Sequence, residues 1–534
     1  MNSTKSKSGL AVAVLTALGL TLGACSSADM STSGGAAYDD MAGWSSQEEP
    51  NPDWLDEDPA NDNWRYAPVE SHEEYDDTPE GPFKAVATSP LSTFSADVDT
   101  ASYASMRRFI DQGAEPQGIR IEELVNYFDY NYPPPNGNSP DPFSVTTDIA
   151  PCPWEPSHLL ARIGVQGMEA PNSEVANNIV FLLDVSGSMG EDNKLPLLQD
   201  SFSLLIDELG SQDVVSIVTY AGSDKVVADS IPGDQHRELK KKVRSLNAGG
   251  STGGAKGVET AYELARKNFI EDGNNRVILA TDGDFNVGPA TPDELISLIE
   301  DQREDGIAIS VLGFGMYNLK DNNMEAIADH GNGNYAYIDT LAEAEKVLVK
   351  EFDSTMLTIA QDVKFQVEFN PAVISQYRLI GYNNRVLEDE DFNDDTKDAG
   401  EIGAGHSVTA FYELVPAGQE GPASVDPLRY QRSNSGLGSE FFNVKLRYKD
   451  PGGTESKLVD FPVPASAFTD SPDGDFAFAA AVAEFGLILT DSDHAGYASL
   501  DSVRSLAEPN LGEDSYGLRA EFLNLVKAYR QIVD

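Results

Sequence analysis

The chain has 534 residues, 88 of them acidic and 37 basic, for a formal net charge of −51. A surface of that sign disfavours nucleic acid and anionic membrane surfaces as partners and is compatible with divalent cations and basic groups, though most of the excess reads as a solvated acidic surface. Two cysteines, Cys25 and Cys152, supply no disulfide framework.

Residues 1–24 carry Lys5 and Lys7 and then an apolar stretch over 10–22. That is a positive n-region and a short h-region, a signal peptide too short to read as a membrane span. It closes in Leu22-Gly23-Ala24-Cys25, which resembles a bacterial lipobox. The resemblance implies cleavage before Cys25, acylation of its thiol, and, with Ser26 following, an outer-membrane destination. Losing residues 1–24 leaves a net charge of −53. The segment 25–83 is rich in Ser, Gly, Pro, Asp, Glu and Asn, with Arg65 its only Lys or Arg. It cannot bury enough apolar surface to fold and is expected to be a disordered acidic tether. Trp44, Trp54 and Trp64 recur along it, as docking contacts or as chance aromatics. With Cys25 acylated, Cys152 is left unpaired and is expected to be a buried structural thiol.

A first folded segment is expected over 84–176. Residues 92–99 alternate as a strand, and 100–112 read as a helix with Thr100 at its N-cap. Residues 119–130 carry Ile121, Leu124, Val125 and Phe128 at helical spacing, ended by Pro133-Pro134-Pro135. Residues 142–150 and 159–166 are expected to be strands. No catalytic constellation is visible here.

The region 177–355 is organised around Asn178–Met189, NIVFLLDVSGSM. Its continuous apolar run is how a strand covered on both faces of a parallel sheet reads. The run ends in Asp184, Ser186 and Ser188, and ligands of open α/β sheets bind at such carboxyl ends. Downstream, helices are expected over 195–209, 235–246, 255–269, 292–302, 324–330 and 342–358. Strands are expected over 214–220, 225–231, 276–281, 307–314 and 335–338. The alternation implies βαβ units and a mostly parallel sheet. The glycine-rich loop 249–254 contains Thr252, and the strand ending at Thr281 delivers Asp282, with Asp284 beside it. Two carboxylates and three hydroxyls form an all-oxygen donor set that suits Mg²⁺ or Mn²⁺ rather than zinc.

In type and order these five residues resemble the metal-ion-dependent adhesion site of the von Willebrand factor A domain. The resemblance implies a Rossmann-like α/β domain in which Asp184, Ser186, Ser188, Thr252 and Asp282 hold the metal, and the metal takes a carboxylate from a partner protein. Asp284 is an accessory candidate. The segments FSADVDTASYASMRRFI and RIEELVNYFDYNYPPP resemble the N-terminal domain of YfbK-type von Willebrand A lipoproteins of bacteria, and that resemblance runs to the C-terminus.

In the C-terminal region, 356–534, strands are expected over 362–369, 373–380, 407–414, 441–449 and 457–463, forming an antiparallel sheet or small sandwich. The apolar helices expected over 476–489 and 518–532 read as core. Residues 388–398 place Asp389, Asp391 and Asn393 at the spacing of a calcium loop. Asp394 stands where that loop turns on glycine, and Gly400 stands where it has its closing glutamate, so a solvated acidic loop is preferred. No Ser-His-Asp, HExxH or phosphate-loop pattern is present. The expected function is therefore a lipid-anchored envelope protein, periplasmic or surface-facing, that grips an acidic partner through Mg²⁺ and is not an enzyme. The alternatives are a structural envelope protein with a non-functional metal site or, less favoured, a metal-dependent hydrolase.

Overall fold

The computed structural model describes Glu73, Tyr75 and residues 79–534 apart from 97–98, 138, 171–174, 251–253, 284–291, 317–319, 420 and 423–438. The signal, Cys25 and the tryptophan-bearing segment lie outside the described residues.

Two short strands, β1 (Lys84–Ala85) and β2 (Leu91–Ser95), lead into α1 (Ala101–Asp111) and α2 (Ile121–Asn126), and then into the hairpin of β3 (Phe143–Pro151) and β4 (Leu159–Gly167). There follow β5 (Asn177–Asp184), α3 (Leu195–Glu208), β6 (Val214–Tyr220), β7 (Asp224–Pro232), α4 (His236–Arg244), α5 (Ala255–Lys267) and β8 (Asn274–Thr281). Next come α6 (Pro292–Glu304), β9 (Ala308–Phe314), α7 (Asp321–His330) and β10 (Tyr335–Ile338). Together these build a six-stranded sheet in the order β10-β9-β8-β5-β6-β7. All pairings are parallel except that of the edge strand β7 with β6.

Every residue of β5 is buried, because the sheet is covered on both faces. Side chains alternate between faces along a strand. Ile179, Phe181 and Leu183 pack with α3 and α4 (Leu198, Phe202, Leu239), while Val180 and Leu182 pack with α5, α6 and α7 (Ala261, Ile299, Ile327). The single closing helix expected over 342–358 is instead α8 (Leu341–Glu345), a π-helical turn over Lys346–Lys350 and α9 (Phe352–Met356).

The rest of the chain is β11 (Thr358–Phe369), β12 (Ile374–Ile380), β13 (Val386–Leu387), β14 (Gly400–Gly403), β15 (Ser407–Pro416), β16 (Glu440–Lys449) and β17 (Ser456–Pro464). After them come α10 (Gly474–Leu489), α11 (Leu500–Ala507) and α12 (Leu518–Val533). These strands share sheets with those near the amino terminus. One antiparallel sheet runs β1-β12-β15-β4-β3 and the other β13-β2-β11-β16-β17, with β14 also on β11. Phe94, Phe365 and Val367 of one sheet pack with Ile163, Tyr377 and Tyr412 of the other, so the two form a sandwich. The strands of 84–176 and 356–534 thus share one β-structure, into whose sequence the parallel-sheet domain is inserted. The opposite face of the first sheet (Leu160, Ile380, Phe411) is covered by α2, α10, α11 and α12.

Cys152 is buried in this helical layer as a free thiol, and burial pushes its pKa up, as befits a structural residue. The α10 helix is core, and among the described residues no helix is long and apolar enough to cross a membrane. In the acidic loop, Lys364 donates to the carbonyls of Asp391 and Asp394, and Asp389 accepts from Thr93 Oγ1, so the sandwich pins part of it.

Candidate metal centre

Parallel pairing sets Leu183 of β5 level with Ala280 of β8, so the strands end together. Asp184 and Asp282 leave them as buried side chains at the same sheet edge, 0% and 1% exposed. The chain after Asp184 turns back on itself. The Ser186 N–H donates to Asp184 Oδ1 at 2.8 Å, and Thr281 Oγ1 donates to Asp184 Oδ2 at 3.3 Å. Ser186 Oγ and Ser188 Oγ lie 2.9 Å apart, so the two hydroxyls converge.

The glycine loop is stitched to this turn. Gly249 N–H donates to the Val185 carbonyl at 2.8 Å, and Gly187 N–H to the Gly250 carbonyl at 3.2 Å. Gly250 has φ +96°, and a Cβ there would stand 3.0 Å from the Ala221 carbonyl oxygen, so a side chain would be strained on two counts. Gly187, Gly190, Gly249 and Gly250, in the turn and loop next to the buried acids, are exposed. Thr252 and Asp284 lie outside the described residues.

Burial, and then the nearby Asp282 carboxylate, push the Asp184 carboxyl up to about 6, against the hydrogen bonds from Ser186 and Thr281. Two desolvated carboxylates at one sheet edge, with converging hydroxyls and no sulfur or imidazole, are an arrangement that a hard dication relieves. The donor set of the described residues is of the kind that suits a hard divalent cation. Among the described residues no group of three His, Cys, Asp or Glu could hold a metal. A site of two acids and hydroxyls is of a different kind.

Lys194 escapes motif reading. It is 2% exposed, and its Nζ donates to Asp282 Oδ2 at 3.1 Å. In sequence it looks like a loop lysine five residues past Met189, and the only signal was its place just before the first apolar helix. Met189 is buried in the core on the α3 side. His330 sits against Glu300, Nδ1 to Oε1 at 2.9 Å, away from the acids.

A parallel sheet covered by helices, with an Asp-x-Ser-x-Ser turn and a strand-terminal Asp at its carboxyl edge, defines a von Willebrand factor type A domain protein, and that domain family matches residues 178–351. A von Willebrand factor family also matches residues 69–162, and the family described as "Uncharacterized protein YfbK, C-terminal" matches residues 354–532. A protein of Escherichia coli strain K12, "Uncharacterized protein YfbK", is 44% identical over 475 residues, covering 87% of this chain and 81% of its own. The chain belongs to the YfbK family.

Human inter-alpha-trypsin inhibitor heavy chain H3 is 25% identical over 182 residues, 32% of this chain and only 20% of that protein. Among solved structures, a von Willebrand factor type A protein from Catenulispora acidiphila aligns at 17% identity and TM-score 0.39, over 72% of this chain and 90% of its own. Domains of this type commonly mediate protein–protein interaction and often bind a divalent metal at the adhesion site.

Proposed function

We propose that this chain is a binding module: an envelope protein, anchored through acylated Cys25, that grips an acidic group of a partner protein through Mg²⁺ or Mn²⁺. Asp184, Ser186, Ser188, Thr252 and Asp282 would hold the ion, with Asp284 accessory. The observation that carries the reading is the convergence of Asp184, the two serine hydroxyls and Asp282 at one sheet edge. Bound there, the cation would supply an electrophilic centre, and the hydroxyls of Ser186, Ser188 and Thr252 would be its neutral donors. The protein's own groups do the rest. Backbone N–H and Thr281 hold the Asp184 carboxylate in one orientation, and the glycines leave room for a partner's backbone. Among the described residues of the site, Asp184 and Asp282 are both taken up as proposed metal ligands, which favours adhesion over catalysis. An outer-membrane location follows from the lipobox resemblance.

A second reading, a structural envelope protein with a non-functional metal site, is favoured by one observation, the ammonium of Lys194 on Asp282. Capture from envelope extract separates the two. A partner retained in Mg²⁺, released by EDTA and not retained by Asp184→Ala supports the first. Equal retention by both proteins in EDTA supports the second. Loss of metabolic acyl labelling in Cys25→Ser tests the anchor, and labelling that persists contradicts it.

A further inference from the structure

The Lys194 ammonium is built into the site. Its stem runs beneath Gly315, whose φ is +82° and where a Cβ would lie 2.4 Å from Lys194 Cε and 2.5 Å from its Cγ. Any side chain at 315 would therefore evict the lysine. The Tyr337 hydroxyl donates to the Gly315 carbonyl at 2.5 Å, fixing that wall. Lys194 itself starts α3: its N–H donates to the Glu191 carbonyl at 3.0 Å, and its own carbonyl accepts from Leu198 N–H at 2.8 Å. Backbone and slot together aim the ammonium at one oxygen of Asp282, with Glu191 Oε2 a distant 4.0 Å away and exposed. Burying a lysine is costly unless it is paired, so this contact has a defined electrostatic consequence.

We propose that Lys194 sets the charge of the metal centre, keeping the loaded site electropositive so that it selects a carboxylate ligand. This rests on the metal-binding reading above. Among the described residues the centre holds the carboxylates of Asp184 and Asp282 and the ammonium of Lys194, one net negative charge. A dication turns that into one net positive charge. Without Lys194 the loaded centre is neutral. The lysine therefore weakens the site's hold on the metal and strengthens the metal's hold on an anion. Charges this close and this buried interact strongly enough to shift each affinity about tenfold.

The test uses the protein of residues 69–534, which forms one compact unit. Mn²⁺ binding is measured by electron paramagnetic resonance, and carboxylate binding by Mn²⁺-induced broadening of the ¹³C-acetate carboxyl resonance at saturating Mn²⁺. Lys194→Met is expected to bind Mn²⁺ about tenfold more tightly and to lose most of the acetate broadening. Lys194→Gln keeps a donor to Asp282 without the charge and is expected to behave like Lys194→Met. It serves alone if Lys194→Met does not fold. A Lys194→Gln protein that matches wild type shows a merely structural lysine and overturns the inference. So does either quantity staying within twofold of wild type in both variants, while the metal reading stands. A wild type that binds no Mn²⁺ refutes the metal reading, and the inference with it.

Discussion

Arg107 joins three parts of the molecule, and its removal has a calculable cost. It lies on α1 with its side chain 6% exposed. Nε donates to Asp339 Oδ2 at 2.8 Å, just past β10, and Nη2 to Glu343 Oε2 at 2.7 Å on α8. Nη1 donates to Glu521 Oε2 at 3.1 Å on α12. The Asp339 and Glu343 side chains are 7% and 2% exposed. Arg107→Met keeps much of the stem volume but leaves these two carboxylates buried together, which costs about 3–5 kcal/mol. Burial already raises the Asp339 carboxyl above its usual value, against the pull of Arg107. Without the guanidinium it rises further, so the native variant binds more protons than its unfolded chain. Its stability deficit must then shrink as pH falls towards the ordinary carboxylate range. Urea unfolding followed by circular dichroism at pH 8 and pH 5 measures both. A deficit below about 1 kcal/mol at pH 8, or one that grows on acidification, refutes the reasoning.

Three further outcomes are expected. In EDTA at pH 8, Asp184→Asn should be more stable than wild type by on the order of 1–3 kcal/mol, because the native carboxyl is raised to about 6 and its ionisation opposes folding. The gap should close towards pH 4 in thermal unfolding, and a variant less stable at pH 8 contradicts it. Glu325 accepts from Arg385 Nη2 at 2.6 Å and Asn384 Nδ2 at 2.8 Å, yet burial lifts its carboxyl to about 7, with Glu123 and Asp321 adding to the rise. Wild type should therefore gain stability from pH 8 to pH 6 relative to Glu325→Gln, and parallel pH profiles would rule this out. Gly250→Val, which meets both a positive φ and the Ala221 carbonyl, should lose about 1–3 kcal/mol and weaken Mn²⁺ binding in the resonance assay; unchanged binding would show that the loop does not shape the site.

The central sheet was legible because its five mutually parallel strands, β5, β6, β8, β9 and β10, carry their burial in their own residues. β5 reads as a strand covered on both faces since Ile179–Leu183 has no polar position to turn outward. Asp184, Ser186, Ser188 and Asp282 were legible as neighbours because strand ends bring them to one sheet edge. The sandwich was legible only in part. Alternation marks β11 or β16 as strands, but nothing local says that β2, some 270 residues earlier, pairs with β11, Phe94 opposite Phe365. Helix α1 misleads in a similar way. Residues 101–110 are all buried, two arginines among them, because the acids that pair with Arg107 and Arg108 come from other elements and from Glu73. Thr100, expected as its N-cap, makes no side-chain capping bond. Lys194 was invisible for the same reason, since its partner is 88 positions away.

The central claim is that Asp184 and its neighbours hold a divalent ion. Thermal unfolding of residues 69–534, wild type beside Asp184→Ala, in EDTA, Mg²⁺, Mn²⁺ and Ca²⁺ tests it most directly. Binding confined to the native state stabilises by mass action, about 2.7 kcal/mol at a hundredfold excess over the dissociation constant. The account predicts that Mg²⁺ and Mn²⁺ raise the melting temperature of wild type and leave Asp184→Ala unmoved. Identical shifts in both proteins, or none in either, would contradict it.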